Sequence, residues 1–114
     1  MPCIQVHVTQ KLTDANKDAI KAKLGKAIEC VPGKSEGWLM VVIRDDACIY
    51  FKGNQSAPSA FVDVSVYGDD NPRAFDKLTG EICKILSDEI GTPINRIYVK
   101  YSSTANWGWN GGNF

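Results

Sequence analysis

Pro2 carries the most chemistry in this 114-residue chain, because it directly follows the initiator methionine. If Met1 is removed, Pro2 presents a free secondary amine. An α-amino group titrates at roughly 7.7–8.0, and burial in an apolar pocket lowers that value by disfavouring the ammonium form. Such a group is a competent general base at physiological pH. The structural alternative is plain: proline commonly opens a strand, where its missing N–H costs little. The other reactive residue types do not converge. His7 is the sole histidine, and Cys3, Cys30, Cys48 and Cys83 are dispersed with no Cys-x-x-Cys pair. Neither a zinc centre nor a thioredoxin-like site is supported. Each cysteine reads as a small, half-buried hydrophobe.

Secondary-structure elements must position such an amine. Apolar alternation over Pro2 to Thr9 predicts a strand, and Thr13 or Asp14 caps the helix that follows. Ile20, Leu24, Ala27, Ile28 and Val31 repeat at helical spacing until Pro32-Gly33 stops them. Trp38 to Ile43 predicts a second strand, apolar on both faces. The pattern then recurs. Phe61 to Tyr67 alternates, Asn71-Pro72 supplies a cap and a first-turn proline, and Leu78, Ile82, Leu86 and Ile90 form a helical stripe. Gly91-Thr92-Pro93 ends that helix, and Arg96 to Tyr101 predicts the last main strand. Ile20 and Leu78, Leu24 and Ile82, Ile28 and Leu86, Gly33 and Gly91, and Val41 and Val99 each stand 58 residues apart. The constant offset points to an internal duplication covering roughly 2–44 and 60–102.

Two strand-helix-strand units predict the α+β class: one domain over residues 1–114, with a four-stranded sheet and both helices on one face. Ile4, Val6, Val8, Val62, Val64, Val66, Ile97, Val99 and Tyr101 then pack under the helices. Gln5, His7, Thr9, Asp63, Ser65, Tyr98 and Lys100 fall on the opposite face, which is too polar for a second dry core. That face meets water or lines a wet space between subunits. Ala47 to Phe51 has the character of a short extra strand, and Trp107 to Trp109 of another. Apolar edge strands are liabilities in a monomer, so a homo-oligomer is expected in which they join a neighbour's sheet.

Composition narrows the partners. A hydrophobic content of 44 % argues against disorder. Thirteen basic and thirteen acidic residues leave no net field to attract nucleic acid. The longest apolar run, Trp38 to Ile43, is far too short to span a bilayer, and no signal-peptide pattern opens the chain. The expected location is cytoplasmic, with neither nucleic acid nor membrane as partner.

Five segments carry a family likeness: Met1-Pro2-Cys3-Ile4, Gly33-Lys34, Phe51-Lys52-Gly53-Asn54, Pro93-Ile94-Asn95-Arg96-Ile97-Tyr98, and Asn106-Trp107-Gly108-Trp109-Asn110-Gly111-Gly112-Asn113-Phe114. In this order and spacing they resemble the macrophage migration inhibitory factor family, within the tautomerase superfamily. The resemblance implies a homotrimer around a solvent channel with active sites at the subunit interfaces. It also implies cofactor-independent keto-enol tautomerase chemistry on phenylpyruvate-like α-keto acids and dopachrome isomerisation. A cytokine-like trimer that engages a receptor protein is the alternative, and it would leave the cell by a route needing no signal peptide.

Roles follow from the same resemblance. Pro2 is the general base. Lys34, a flexible ammonium, suits a substrate carboxylate, and Tyr67 offers a backbone amide to substrate. Tyr98 comes from the adjacent subunit, while Trp109 and Phe114 wall the entrance and Trp38 takes a position where an aromatic is common. Read as ordinary residues, Lys34 is a solvated lysine, Tyr67 and Tyr98 are strand aromatics, and Trp109 and Phe114 are interface packing. Three departures stand out. Ser59-Ala60-Phe61-Val62 replaces the Cys-x-x-Cys of the mammalian member, so its thiol oxidoreductase activity is not expected. Lys100 stands where an asparagine is usual near the proline, as a modulator of base or substrate. Tyr67 replaces a smaller aliphatic residue and narrows the pocket. A third reading, independent of the family, is a ferredoxin-like domain binding a small ligand or RNA. The polar face lacks the stacked aromatics on basic strands that an RNA reader displays.

Overall fold

The computed structural model describes residues 1–114, and its first helix shows how local sequence starts each unit. Strand β1 (Pro2–Val8) leads into α1 (Asp14–Ala27). At the junction Asn16 N–H donates to the Thr13 hydroxyl, and Thr13 N–H donates to Asn16 Oδ1, each at 3.1 Å. This reciprocal cap satisfies two donors that the first turn leaves free, a contribution of about 1 kcal/mol. After two single 3-10 turns (Ile28–Cys30 and Glu36–Trp38) comes β2 (Met40–Arg44). The second unit comprises β3 (Ala60–Tyr67), α2 (Pro72–Ile90) and β4 (Ile97–Thr104). Asn71 caps α2 by accepting from Ala74 N–H at 3.1 Å, Pro72 occupies its first turn, and Gly91 ends it at φ +70°. A short hairpin of β5 (Gly108–Trp109) and β6 (Gly112–Asn113) closes the chain.

The main sheet runs β2-β1-β3-β4, with parallel outer pairs and an antiparallel centre. Its register respects the 58-residue offset. Ile4 pairs with Val41 as Val62 pairs with Val99, and the central pairs Ile4–Val64 and Val6–Val62 exchange when each residue is replaced by its equivalent. Period-2 burial follows: Ile4, Val6, Val8, Val62, Val64 and Val66 are buried beneath the helices, as their alternation predicts. Equivalent helix positions meet them. Ile20 and Leu78, Leu24 and Ile82, and Ile28 and Leu86 are all at most 1 % exposed. Fully burying each such side chain contributes about 1.5–3 kcal/mol.

The structure corrects four expectations. Trp38 is not in a strand; it ends a 3-10 turn and β2 begins at Met40. Because β2 lies at the sheet edge with the helices covering one face, its residues are only partly buried rather than apolar on both sides. Ala47 to Phe51 forms no strand within the chain. The Asp46 and Ala47 amides bond the Gln10 and Val8 carbonyls, and Phe51 pairs with Asn54 across a tight turn. Arg96 fastens that turn, donating to Asn54 O at 3.1 Å and Asn54 Oδ1 at 3.2 Å with its guanidinium 5.2 Å from the Phe51 ring centre, and ties it to the start of β3 by donating to Pro58 O and Ser59 Oγ. Arg96 itself closes a 3-10 turn, and β4 extends to Thr104 instead of Tyr101. The Trp107–Trp109 segment pairs with its own chain, in the terminal hairpin. No helix is long and apolar enough to cross a membrane.

Candidate active site

Pro2 opens β1 and is buried, paired across the sheet with Val66 of β3. With Met1 attached, its nitrogen is a tertiary amide without a basic lone pair. The Met1 carbonyl accepts the Tyr67 N–H at 2.9 Å, one rung beyond the Pro2–Val66 pair. The Met1 amine is held below its usual value, first by burial and then by the Lys34 ammonium beside it.

Lys34 arrives from the α1–β2 loop. Gly33 turns the chain at φ +79°, a conformation side chains rarely adopt, and Lys34 N–H then bonds Val31 O at 3.1 Å. The Lys34 ammonium donates to the Tyr67 carbonyl at 2.7 Å. Tyr67 therefore holds the chain start through its N–H and Lys34 through its C=O. Gly25 helps to seat the loop: it is buried in α1, and a Cβ there would collide with the Glu36 carboxylate lying across it. A glycine inside a helical stripe was the available sequence signal for this contact.

The terminal hairpin covers the same place with aromatic surface. Its Asn110-Gly111 turn has φ of +52° and +89°, the left-handed pair that suits a two-residue hairpin. Phe114 N–H bonds Trp107 O at 3.0 Å, and the Phe114 ring lies 5.4 Å from that of Tyr67. Trp109 stacks parallel to Phe114 at 6.3 Å and meets the edge of Trp38 at 5.2 Å. Trp38, Trp109 and Phe114 remain just over half exposed, so they present ring surface that the single chain leaves uncovered.

Tyr98 and Lys100 are elsewhere in the chain. Tyr98 faces Phe61 in the β3–β4 register while Tyr67 faces Thr104, a separation of about 20 Å along the strand. Tyr98 packs edge-on against Phe51 at 5.2 Å and is 65 % exposed. Lys100 does not approach its own Pro2; its ammonium lies 3.6 Å from Asp63 Oδ2. Cys3, next to Pro2, has its thiol pKa pushed up by burial and then by Asp63, so it stays protonated near neutrality. No group of three or more His, Cys, Asp or Glu side chains stands where it could hold a metal ion.

One chain thus brings Pro2, Lys34, Tyr67, Trp109 and Phe114 to one end of the sheet and leaves Tyr98 near the other end and Lys100 midway along β4. The Met1–Tyr67 bond has no sequence signature.

Known proteins resemble this chain over its whole length. The family model described as macrophage migration inhibitory factor matches residues 1–114. The macrophage migration inhibitory factor of Xenopus laevis is 28 % identical over 119 residues, covering 100 % of this chain and 99 % of that protein. The crystal structure of Leishmania major MIF2 superposes with a TM-score of 0.92 at 36 % identity, covering 100 % of this chain and 97 % of the other. The structure of Pt0534 inactivated by 2-oxo-3-pentynoate has a TM-score of 0.84 at 17 % identity, covering 96 % and 93 % of the two chains, a likeness of fold. With the duplicated sheet, the proline at the start of β1 and the family model all in register, the chain belongs to the macrophage migration inhibitory factor family, within the tautomerase superfamily.

Proposed function

We propose that the chain, once Met1 is removed, is a cofactor-independent keto-enol tautomerase acting on phenylpyruvate-like α-keto acids and dopachrome-type substrates. One observation carries the reading: the Tyr67 N–H that bonds the Met1 carbonyl lies beside the Lys34 ammonium at the start of β1. Removing Met1 frees that N–H and converts the Pro2 amide to an amine in a single cleavage. The site then offers a base, a hydrogen-bond donor and a cation together.

Tautomerisation moves one proton between the carbon next to a carbonyl and the carbonyl oxygen. Lys34 pairs with the substrate carboxylate, and the freed Tyr67 N–H helps to hold the substrate oxygens. The neutral Pro2 amine removes the carbon-bound proton, becomes an ammonium, and delivers a proton to the enolate oxygen, so it ends neutral. Burial and the Lys34 ammonium, which both disfavour the charged form of the Met1 amine, would favour the neutral form of a freed Pro2 amine as well. Trp109 and Phe114 offer apolar walls to an aromatic substrate.

The assembly expected is a homotrimer. Its support is the exposed apolar surface along β2 and the far end of the sheet: Met40, Tyr50, Ile94 and Tyr98 are each more than 60 % exposed. A neighbour covering that end would bring Tyr98, and Lys100 with it, to a pocket that one chain leaves unwalled.

Steady-state rates with phenylpyruvate and dopachrome methyl ester test the assignment. Pro2→Gly should lose about a hundred- to ten-thousand-fold in kcat/KM. Equal rates for the two proteins would remove Pro2 as the base. 2-Oxo-3-pentynoate gives a second readout, because a free amine adds across its triple bond and the intact mass rises by one molecule. A protein with free Pro2, no turnover and saturable binding to a receptor would favour the cytokine-like alternative.

A further inference from the structure

An open groove lies on the helix side of the molecule, away from Pro2. Helices α1 and α2 flank this groove of about 420 Å3 on their solvent side. Its lining obeys the internal repeat: Lys26 and Ala27 of α1 stand 58 residues from Lys84 and Ile85 of α2, and all four line the groove. Lys23 and Cys30 correspond in the same way to Glu81 and Asp88. A groove lined by equivalent positions of two repeats straddles their local two-fold axis; across it Lys26 and Lys84 repeat in charge and Ala27 and Ile85 in apolar character, whereas Lys23 and Cys30 stand against Glu81 and Asp88.

The centre is apolar and the rim cationic. Ala27 and Ile85 are 7 % and 6 % exposed and form a closed floor. Lys77 joins Lys23, Lys26 and Lys84 around it, against the two carboxylates of Glu81 and Asp88. Lys23 is committed to Glu89. The other ion pairs of the chain use Lys17 and Lys100, so Lys26, Lys77 and Lys84 have no carboxylate partner. Two equivalent ammonium groups facing one groove repel each other, and an anion between them removes that repulsion. The volume falls within the roughly 300–1,000 Å3 of small-molecule sites.

We propose that this groove binds a small amphiphilic anion: an aromatic or aliphatic body that lies on Ala27, Ile85 and Cys30, with a sulfonate, phosphate or carboxylate between Lys26 and Lys84. The site uses neither Pro2 nor Lys34, so it functions whether or not the chain is a tautomerase. Because its charges are solvent-exposed, its affinity falls as salt rises.

The test is a titration of the full chain with 1-anilinonaphthalene-8-sulfonate, read by fluorescence and by the methyl NMR signals of Ala27 and Ile85. The expected result is saturable binding at one probe per chain, with both methyl groups shifting. The Lys26→Glu/Lys84→Glu double variant should weaken binding on the order of tenfold, while Lys34→Ala leaves it unchanged. A thermal melt checks that the double variant is folded, and Lys26→Gln/Lys84→Gln serves if it is not. The uncharged analogue N-phenyl-1-naphthylamine should bind more weakly. Absence of saturation, binding indifferent to the Lys26 and Lys84 changes, loss of binding in Lys34→Ala, or equal affinity for the uncharged analogue would each overturn the proposal.

Discussion

Met1 and Ser59 stand 58 residues apart, and the two strand ends they occupy make the same backbone bond with opposite consequences. Tyr67 N–H bonds Met1 O at 2.9 Å, and its equivalent Thr9 N–H bonds Ser59 O at 3.2 Å. Ser59 is 1 % exposed, returns its own N–H to the Thr9 hydroxyl at 3.0 Å, and continues back into Pro58 under the Arg96 clamp. That end is sealed by covalent chain. Met1 is half-buried and held by one peptide bond that can be cut. The residues after the two left-handed glycines diverge likewise. Lys34 reaches out half-buried to the Tyr67 carbonyl, whereas Thr92 is wholly buried and accepts from Gln10 Nε2 at 3.0 Å. One architecture, used twice, gives one corner sealed by continuous chain and one closed by Met1 and Lys34. The difference lies in Met1 against Ser59 and in Lys34 against Thr92.

Among changes that leave Pro2 itself intact, the largest effect should come from removing that lysine. Lys34→Ala should raise KM for phenylpyruvate by about ten- to a hundredfold, the loss of one hydrogen bond to a charged group. It should also shift the pH profile, in a direction that can be worked out. Burial and then Lys34 hold the Met1 amine below its usual value; a Pro2 amine freed at the same end of β1 is expected to feel the same lysine, and catalysis needs the neutral amine. Without the lysine the amine pKa rises, so the acidic limb of kcat/KM should move to higher pH. An unmoved limb would mean that Lys34 does not act on the base.

Next comes the glycine pair. Gly33→Ala and Gly91→Ala place a side chain at φ +79° and +70° with nothing near the added Cβ. Each should lower stability by about 1–2 kcal/mol, the price of a left-handed residue. Only Gly33→Ala should also raise KM, because it displaces Lys34; denaturation curves beside kinetics separate the two effects. The smallest change should be Thr92→Val, which removes the acceptor for Gln10 but leaves that donor the Ile90 carbonyl at 3.0 Å. A loss of about 0.5–1.5 kcal/mol with unchanged kinetics would mark this corner as structural only.

Much of this contrast was legible in the sequence. The 58-residue offset, the helix caps at Thr13 and Asn71, and the inward faces of β1 and β3 all follow from periodicity and local side-chain chemistry. Those are short-range signals. Ala47 to Phe51, expected to pair with a neighbouring subunit's sheet, pairs with no strand of its own chain: the Ala47 amide bonds Val8 O and the Phe51 amide bonds Asn54 O. Trp38 was misread because an apolar run does not show that its first residues turn before pairing begins. The hydrogen bonds from Lys34 and Met1 to Tyr67 join residues far apart in sequence, so no local pattern announces them. Tyr98 and Lys100 were placed at the pocket by resemblance, Tyr98 from the adjacent subunit; within one chain Tyr98 lies near the far end of β4 and Lys100 midway along it, so no intrachain contact joins either to Pro2.

The central claim is that one peptide bond decides whether the corner closed by Met1 and Lys34 is chemical or structural. It is tested most directly by comparing the protein beginning at Pro2 with the same chain carrying an alanine between Met1 and Pro2, each verified by intact mass. The protein beginning at Pro2 should tautomerise phenylpyruvate, and the alanine-extended chain, folded to the same thermal midpoint, should be slower by about a hundredfold or more. Equal turnover by the two would contradict the account.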